Sequence, residues 1–354
     1  MLGTPSGPVC LNGGSIDVPE RELYITKSTR VAPEEGEPVL WNKFMDEITS
    51  SDQDLQRYLK QVAGYGLTGS TREHALFFAY GSGGNGKSVF LNAIENVMDG
   101  YAARATANVF TASKSGYDKH TTDIAMFAGA RVVTLSETEE GRSWNEALVK
   151  TMTGGDKITA RFMRKDNFTY KPQFKLIVAS NNKPKIVTVD DGMRRRINII
   201  PFNFKPEVVD KDLEQKLEAE YPKILNWMIE GCKEWLQGGF TIPQCVLNET
   251  SEYFNEQDLM GQWIGENCEV AKEATEQGIT LFNDWKTFMV NKGESVNSLN
   301  MTHFGNEMKK QMGRYGFDKR KVTAGALYLG IRLKKAEAAG SSSKIQPLMA
   351  FQKV

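Results

Sequence analysis

A glycine-rich loop between a short apolar run and a helical segment is the feature that most constrains how this chain can fold. Residues 81–88 read GSGGNGKS and fit the pattern G-x-x-x-x-G-K-[ST]. The loop follows ALFFAY, a run typical of a buried strand, and precedes SVFLNAIENVM, whose apolar spacing predicts a helix. Backbone N–H groups and a helix N-terminus then point inward and form a cradle for phosphate groups. The sequence therefore predicts an α/β fold built around a phosphate site.

The residues of this loop have separate predicted roles in binding ATP. Lys87 is expected to neutralise the β and γ phosphates, and the Ser88 hydroxyl is expected to bind Mg²⁺. A glycine-rich turn that binds nothing is the alternative, and the strand and helix on either side argue against it. The predicted contacts with ATP are Gly81, Gly83, Gly84, Asn85, Gly86, Lys87, Ser88 and Val89.

Hydrolysis also needs a carboxylate that holds the metal and polarises the attacking water. The next apolar run, RVVTLS, ends at Glu137, the position of the Walker-B acid in P-loop ATPases. We therefore predict Glu137 as a catalytic residue and, with Ser88, as a metal ligand. The usual form has Asp just before this glutamate, whereas Ser136 stands there, so Glu139 and Glu140 stay alternatives for the metal. An acidic cluster after a strand is by itself most often a solvated loop.

A third apolar run, FKLIVAS, is followed directly by Asn181. In P-loop ATPases of this kind, a polar side chain at the tip of the strand between the P-loop strand and the acidic strand orients the attacking water, and Asn suits that role. A turn-forming Asn pair is the common alternative. Further along, DDGMRRRINIIPF places arginines just before a β run. From such a position a guanidinium can reach the γ phosphate bound by a neighbouring subunit.

Four motifs in this order resemble the superfamily-three helicases, specifically the phage and plasmid primase-helicase group related to the poxvirus primase-helicase. They are GSGGNGKS, VVTLSETEEGR, TMTGGDKITARFMRKDNFTYKPQFKLIVASNNKP and DDGMRRRINIIPF, and all lie between Gly81 and Phe202. LGTPSGPVCLNGG and ELYITKSTRVAP resemble the family's segment before the motor, and residues near 259–333 resemble its winged-helix-like region. The resemblance thus covers most of the chain.

The resemblance implies an AAA+-type P-loop ATPase that assembles as a homo-hexamer and moves on single-stranded or forked DNA. Lys87 and Ser88 match the family's phosphate and metal contacts, Glu137 its catalytic acid and Asn181 its sensor. Arg196 matches the arginine finger that acts in the neighbouring subunit, with Arg195 as the second candidate. A primase domain or protein is the further partner that the family implies.

The family's DNA-translocating hairpin falls at residues 158–174 of this chain. Its tip, FMRKDNF, mixes cations with aromatic rings, as single-strand binders do. Arg161, Arg164 and Lys165 are the predicted contacts with the DNA backbone. Outside the context of the other motifs, a plain surface hairpin is the simpler interpretation.

Composition and patterning give the expected domain organisation. The chain has 354 residues, 40% of them apolar and 25% charged, which predicts several globular units with proper cores. The fold class is α/β, with a parallel sheet flanked by helices. No run of residues is long and apolar enough to span a bilayer, so we expect a cytoplasmic protein without membrane partners. The resemblance to phage and plasmid proteins implies a bacterial host. The predicted units are a mixed N-terminal segment (1–73), the P-loop core (74–204), a helical segment (205–257), a winged-helix-like domain (258–335) and a flexible tail (336–354).

The distribution of charge and the spacing of cysteines and histidines constrain the function less than the motifs do. Residues 205–258 hold 12 acidic and 5 basic side chains, whereas residues 301–354 hold 11 basic and 3 acidic ones. The C-terminal excess would attract phosphate backbones, and a solvated face explains it equally well. The cysteines and histidines have no metal-ligand spacing, which argues against a zinc site.

Three other classes of protein are alternatives to a helicase motor. A replication initiator or loader would bind ATP and DNA without unwinding, and Ser136 in the Walker-B position is compatible with it. A primase-polymerase fits poorly, because the segment before the P-loop is short and has no evident pair of catalytic acids. A small-molecule kinase would need neither an arginine finger nor a cationic hairpin.

Overall fold

The computed structural model describes residues 1–15, 20–112, 121–136, 141–186, 189–294, 296–297, 299–323 and 325–334. The chain divides into two compact units, Met1–Gln257 and Asp258–Val354. Within the described residues, no helix combines the length and the apolar character that crossing a membrane requires.

The first unit mixes strands and helices. Its strands are β1 (Leu2–Thr4), β2 (Gly7–Val9), β3 (Leu76–Tyr80), β4 (Ala102–Ala105), β5 (Val132–Ser136), β6 (Ile158–Ala160), β7 (Phe168–Tyr170), β8 (Lys175–Ser180) and β9 (Ile197–Pro201). Its helices are α1 (Val39–Ile48), α2 (Gln53–Gly66), α3 (Lys87–Met98), α4 (Ala107–Phe110), α5 (Thr121–Ala125), α6 (Glu146–Gly154), α7 (Asp191–Arg194), α8 (Leu213–Glu218), α9 (Tyr221–Gly238) and α10 (Gln244–Gln257). Short 3₁₀ turns lie at Glu20–Leu23 and Asp99–Tyr101.

The predicted parallel sheet is confirmed. Five parallel strands lie in the order β4-β5-β8-β3-β9, so β8 separates the P-loop strand β3 from β5. Tyr80 pairs with Ser180, and Ser136 with Ala179. The carboxyl ends of β3, β8 and β5 therefore meet at one edge of the sheet, which is where ligands bind in open parallel sheets.

Side chains alternate between the two faces of the sheet, and each face is covered by helices. Phe77 and Ala79 pack in a core shared with α1, α2, α3 and α9. Leu76 and Phe78 pack in a second core, shared with α4, α5, α6, α7 and α10. Burial on both faces explains why β3 reads as an almost continuous apolar run rather than an alternating one.

The helical stretch after Phe204 is interrupted, although its apolar spacing alone predicts continuous helix. α8 ends at Glu218, and α9 begins at Tyr221 with Pro222 in its first turn. Proline lacks the N–H that an interior helical position donates and is tolerated only where that N–H is unpaired. The interruption also frees Glu220, whose carboxylate accepts the Leu40 and Trp41 N–H groups at the start of α1. α9 ends at glycine: Gly238 is its last residue and Gly239 (φ 73°) follows.

The run ELYITKSTRVA near the N-terminus has a β-like composition but does not form a strand. After the 3₁₀ turn its backbone makes single hydrogen bonds to two different elements: the Thr29 N–H donates to Gly3 O at 3.0 Å, and the Arg30 N–H to Val97 O at 3.1 Å. A ladder needs one continuous partner strand, and this segment has two unrelated neighbours instead.

The second unit combines three helices with an antiparallel sheet. Its elements are α11 (Leu259–Asn267), β10 (Cys268–Gln277), α12 (Gly278–Asn291), α13 (Met301–Tyr315), β11 (Asp318–Val322) and β12 (Gly325–Leu333). The strand order is β10-β12-β11, and Trp263, Trp285, Phe304 and Tyr328 fill the core. Helices followed by a β11–β12 hairpin are the element order expected of a winged-helix-like fold. The predicted flexible tail, residues 336–354, lies outside the described residues.

Candidate active site

The glycine loop connects the end of β3 to the first residue of α3, as the sequence predicts. Gly86 precedes the helix with a φ of 85°, a conformation that favours glycine. A Cβ atom there would lie 2.5 Å from Ile48 Cγ2, and one on Gly81 would lie 2.1 Å from Phe202 O. The loop is therefore packed too tightly against α1 and the end of β9 for side chains at these two positions.

Lys87 is held over the loop by neutral acceptors. Its Nζ donates to Gly81 O at 2.7 Å, to Asn85 Oδ1 at 2.8 Å and to Asn181 Oδ1 at 3.0 Å. Burial lowers the pKa of Lys87 to about 8. Among the described residues, which do not include 137–140, Lys87 forms no ion pair, and the acceptors of its ammonium are neutral dipoles. Such a buried cation is poised to bind an anion.

Two asparagines position this lysine. Asn85 is buried, and its Nδ2 donates to Phe202 O at 2.5 Å, which ties the glycine loop to the residue after β9. Asn181 follows β8 and reaches the same ammonium from the neighbouring strand. The predicted sensor and the predicted phosphate-binding lysine are thus in direct contact.

A cleft of about 510 Å³ opens over the loop. Ser88 and Val89 line it, with Ser136 and Ser180 from the ends of the neighbouring strands. Its volume is in the range of small-molecule sites. The predicted loop residues Gly83, Gly84, Asn85, Gly86, Lys87, Ser88 and Val89 all line it, whereas Gly81 contributes its carbonyl to Lys87.

One end of the cleft is apolar, and the motifs did not identify it. Phe44 and Ile48 of α1 lie there with Phe204, Val209 and Leu213 from the segment after β9. These side chains form a surface suited to a flat base. The i, i+4 spacing of Phe44 and Ile48 marks an apolar helix face, which sequence reasoning assigns to the core by default.

A polar cluster on α3 forms the far wall of the cleft. Thr134 Oγ1 donates to Glu95, and Arg104 donates to the same carboxylate at 2.5 Å and to Asn92 Oδ1 at 2.9 Å. The charges of Glu95 and Arg104 therefore largely offset each other.

The predicted acidic residues Glu137, Glu139 and Glu140 lie outside the described residues. Ser136, the last residue of β5 and the residue directly before Glu137, lines the cleft. In the described ranges, no group of three or more His, Cys, Asp or Glu side chains is arranged to hold a metal ion.

The two candidate arginine fingers are placed differently. Arg196 is only 7% exposed, and its guanidinium donates to Thr153 Oγ1 at 3.1 Å and to Gly192 O at 2.7 Å. Arg195 directly follows α7 and is exposed. The side chain of Arg196 therefore binds within its own subunit, whereas that of Arg195 can reach outward.

The predicted hairpin is present, with β6 and β7 as its antiparallel arms. Ile158 pairs with Tyr170, and Ala160 with Phe168. The predicted DNA contacts Arg161, Arg164 and Lys165 are all exposed in the connection between the arms. An aromatic row runs along the hairpin, because Phe168 stacks on Phe162 (ring centroids 5.6 Å apart) and on Tyr170 (5.9 Å). The exposed loop thus offers cations beside a ring face, and none of these residues lines the cleft.

Comparison with known sequences places these features in context. Residues 79–196 match a sequence family described as a family of unknown function (DUF5906). The match contains the glycine loop, Asn181 and both arginine candidates.

Curated viral proteins are similar over a longer stretch. A putative helicase of Acanthamoeba polyphaga mimivirus is 27% identical over 68% of this chain, and a putative helicase of Frog virus 3 (isolate Goorha) is 25% identical over 66% of it. The aligned regions are 27% and 26% of those two proteins, so the chain spans about a quarter of their length.

Among solved structures, the A form apo structure of the NrS-1 C-terminal region shares the fold. Its TM-score is 0.50 at 13% sequence identity, over 86% of this chain and 77% of that one. The two viral proteins confirm the predicted resemblance at the level of helicases, and the solved structure shows a shared fold.

Proposed function

We propose that this chain is the ATP-hydrolysing motor of a DNA helicase of the superfamily-three primase-helicase group. In this proposal six copies form a ring that moves along single-stranded DNA during phage or plasmid replication in the cytoplasm of a bacterial host. A primase domain or protein is the proposed partner. The chain matches only part of its viral relatives, so the activity of a whole protein is part of the proposal.

A single observation carries it: a buried lysine that has no charged partner among the described residues. It lies at the turn between a parallel strand and a helix, in contact with the tip of the adjacent strand. In the described part of the chain the acceptors of Lys87 are neutral, and burial lowers its pKa to about 8. A triphosphate would supply the missing counter-charge. Its β and γ phosphates would meet Lys87 and the N–H groups at the start of α3, and the base would enter the apolar end of the cleft.

Ser88, which lines the cleft, offers a hydroxyl oxygen of the kind that binds Mg²⁺ in P-loop sites. Ser88 would bind the metal through its hydroxyl, and Glu137 would complete the site and polarise the attacking water. Asn181 would orient that water while it also steadies Lys87. Bound Mg²⁺ would neutralise charge that develops on the phosphate oxygens.

The arginine finger is assigned to Arg195 in this proposal. A finger must leave its own subunit to reach a neighbour's γ phosphate, and withdrawing Arg196 would break its hydrogen bonds to Thr153 and Gly192. Arg195 is exposed and has no such cost. The nucleotide site is then shared between two subunits of the ring.

Contacts between the hairpin and the DNA backbone should make affinity depend on salt. Replacing Arg161, Arg164 and Lys165 together by alanine is expected to lower the slope of log affinity against log salt by about 2, at about 0.7 per lost phosphate contact on a single strand. Fluorescence anisotropy with a labelled oligonucleotide measures the slope. Lys233→Ala, which removes a half-exposed cation on α9, is the control and should leave it unchanged. An unaltered slope in the triple variant would show that DNA binds elsewhere.

The lowered pKa of Lys87 predicts how nucleotide affinity changes with pH. In the free protein this ammonium loses its proton as pH rises through about 8, whereas bound phosphates favour the charged form. Binding above that pH must take up a proton, so the dissociation constant should rise by about tenfold per pH unit until the pKa of the complex is reached. Below that range this group contributes no pH dependence.

Calorimetric titration with a non-hydrolysable ATP analogue from about pH 7 to about pH 10 tests this profile. Lys87→Arg is the matched control, because a guanidinium stays charged over the whole range. Whatever its affinity for the analogue, the dissociation constant of Lys87→Arg should change less with pH than that of wild type. If the dissociation constant of wild type changes as little with pH as that of Lys87→Arg, the ammonium of Lys87 is not the group that binds the phosphates.

Ser136 favours one alternative, a replication initiator or loader that binds ATP and DNA without unwinding. Strand separation on a forked duplex with ATP distinguishes the two functions. The motor proposal expects wild type to separate the strands and Glu137→Gln to bind ATP and DNA without doing so. Wild type that binds both ligands and leaves the fork paired would establish the initiator function instead.

A further inference from the structure

Two side-chain contacts join α6 to the segment that carries the arginine finger. Lys150 on α6 forms an ion pair with Asp190, with Nζ and Oδ2 2.5 Å apart. Three residues further along α6, Thr153 Oγ1 accepts a hydrogen bond from Arg196 Nε at 3.1 Å. Residues three apart lie on the same side of a helix, so both contacts face α7. We call this pair of contacts the α6–α7 latch.

The two latch residues that flank α7, Asp190 and Arg196, also form hydrogen bonds with α7 itself. Asp190 Oδ1 accepts the Met193 N–H at 2.8 Å and so caps the start of α7, while its Oδ2 binds Lys150. Arg196, just after α7, donates to Gly192 O as well as to Thr153. Burial raises the pKa of Asp190, but the hydrogen bonds from Lys150 and the Met193 N–H outweigh it and hold that pKa below its usual value. The carboxylate therefore stays charged at neutral pH.

These contacts hold α7 together with two others, the burial of Met193 in the core and the hydrogen bond from the Leu76 N–H of β3 to Arg196 O. It has four residues, and a helix this short is not stable by itself. Arg195 follows it directly. Any displacement of Arg195 therefore moves a single helical turn whose two ends are bound to α6.

On the other side, α6 leads directly into the DNA-binding hairpin. It ends at Gly154, Gly155 closes it with a φ of 77°, and β6 begins at Ile158. Ile158 is buried in the same core as Met152 of α6 and Met193 of α7. α6, α7 and β6 thus contribute to one hydrophobic core, and β6 follows α6 after a short connection. A close-packed core transmits displacement rather than absorbing it.

We propose that the α6–α7 latch couples the arginine finger to the DNA hairpin of the same subunit. Arg195 reaches ATP bound by the neighbour, so the neighbour's nucleotide state, through Asp190 and Lys150, sets the position of the hairpin that follows α6. Lys150 is in this view a positioning residue that touches neither nucleotide nor DNA. The inference rests on the proposed function and goes further, because it names the connection through which hydrolysis at one interface moves one DNA-binding loop.

Two substitutions break the latch while keeping the local fold. Lys150→Met keeps the length of the side chain and removes its charge. Asp190→Asn removes the charge but keeps a side-chain oxygen that caps α7, since Asn caps as well as Asp does. Lys150→Arg keeps the ion pair and serves as the conservative variant. Lys60→Met is the matched control, because Lys60 and Glu234 form an ion pair of similar exposure (24% and 31%, against 30% and 38%) between α2 and α9.

The readout is the ratio of ATPase rates with and without single-stranded DNA. For Lys150→Met and Asp190→Asn we expect unchanged oligonucleotide affinity, a basal rate close to that of wild type and a ratio reduced by about tenfold, as for an ordinary coupling between two sites. Lys150→Arg and Lys60→Met should keep the wild-type ratio. Hydrogen exchange gives a second measurement. A non-hydrolysable ATP analogue should change protection of residues 158–170 in wild type and Lys150→Arg, and not in Lys150→Met.

The possible outcomes separate this inference from the proposed function. If DNA stimulates the ATPase rate of wild type, Lys150→Met and Asp190→Asn equally, the coupling through the latch is wrong, and the proposed helicase function is unaffected. A loss of basal rate and thermal stability in both variants, with an unchanged ratio, would assign Lys150 a merely structural role and also overturn it. Wild type without any DNA stimulation would overturn the proposed function and the latch with it.

Discussion

Arg195→Ala is expected to lower the rate of ATP hydrolysis by about 1000-fold while the melting temperature and the affinity for ATP stay close to those of wild type. The side chain is exposed and directly follows α7, so its removal leaves no buried group unpaired. In the assembled ring its guanidinium would stabilise charge in the transition state at a neighbour's γ phosphate. Steady-state hydrolysis, calorimetric titration with a non-hydrolysable analogue and thermal melting measure the three quantities.

Arg196→Ala is the matched comparison and should behave in the opposite way. Its guanidinium is buried and supplies hydrogen bonds to Thr153 and Gly192, so truncation is expected to cost about 1–3 kcal/mol of unfolding free energy. Hydrolysis per folded molecule should fall far less than in Arg195→Ala. Arg196 would be the finger if the results were reversed, with Arg195→Ala losing stability and Arg196→Ala losing only the rate of ATP hydrolysis.

Lys87→Met should abolish the thermal stabilisation by ATP without destabilising the free protein. The ammonium is buried among neutral acceptors, and water in the open cleft can replace it at those acceptors when it is removed. We therefore expect the unfolding free energy of the free protein to change by less than about 1 kcal/mol. The rise in melting temperature that saturating ATP produces in wild type should be absent.

Lys175 is the control, because burial also lowers its pKa although its position is structural. It is buried, and its ammonium donates to carbonyls and a hydroxyl of Thr68, Ser70 and Gln173 near the end of α2. Lys175→Met should therefore lower the melting temperature of the free protein substantially and leave the ATP-induced rise in place. If Lys87→Met proved as destabilising as Lys175→Met, Lys87 would be part of the structural core rather than a ligand-binding group.

The sequence predicts the centre of the fold well because its strongest signals are local. The pattern G-x-x-x-x-G-K-[ST] lies within eight consecutive residues, and three apolar runs that end in polar residues mark β3, β5 and β8. Once those strands are parallel, their polar ends must meet at one edge of the sheet. The contact between Lys87 and Asn181, 94 residues apart, follows from that geometry.

The rest of the site depends on contacts that local patterns do not encode. The apolar end of the cleft combines α1 with residues 204–213, and an apolar helix face gives no sign of whether protein or ligand will cover it. Likewise, Arg195 and Arg196 are adjacent in a run of three arginines, and only the packing of α7 against α6 decides which is buried. The break at Pro222, in contrast, follows from proline chemistry and was accessible from the sequence.

A mixture of two inactive variants gives the most direct test of a nucleotide site that is shared between neighbouring subunits. Lys87→Ala lacks the phosphate-binding lysine, and Arg195→Ala lacks the finger. In a ring assembled from equal amounts of both, about a quarter of the interfaces pair an intact lysine with an intact arginine. The account predicts that ATP hydrolysis stimulated by single-stranded DNA returns in the mixture, although each variant alone is inactive. A mixture that stays as inactive as its components would contradict it.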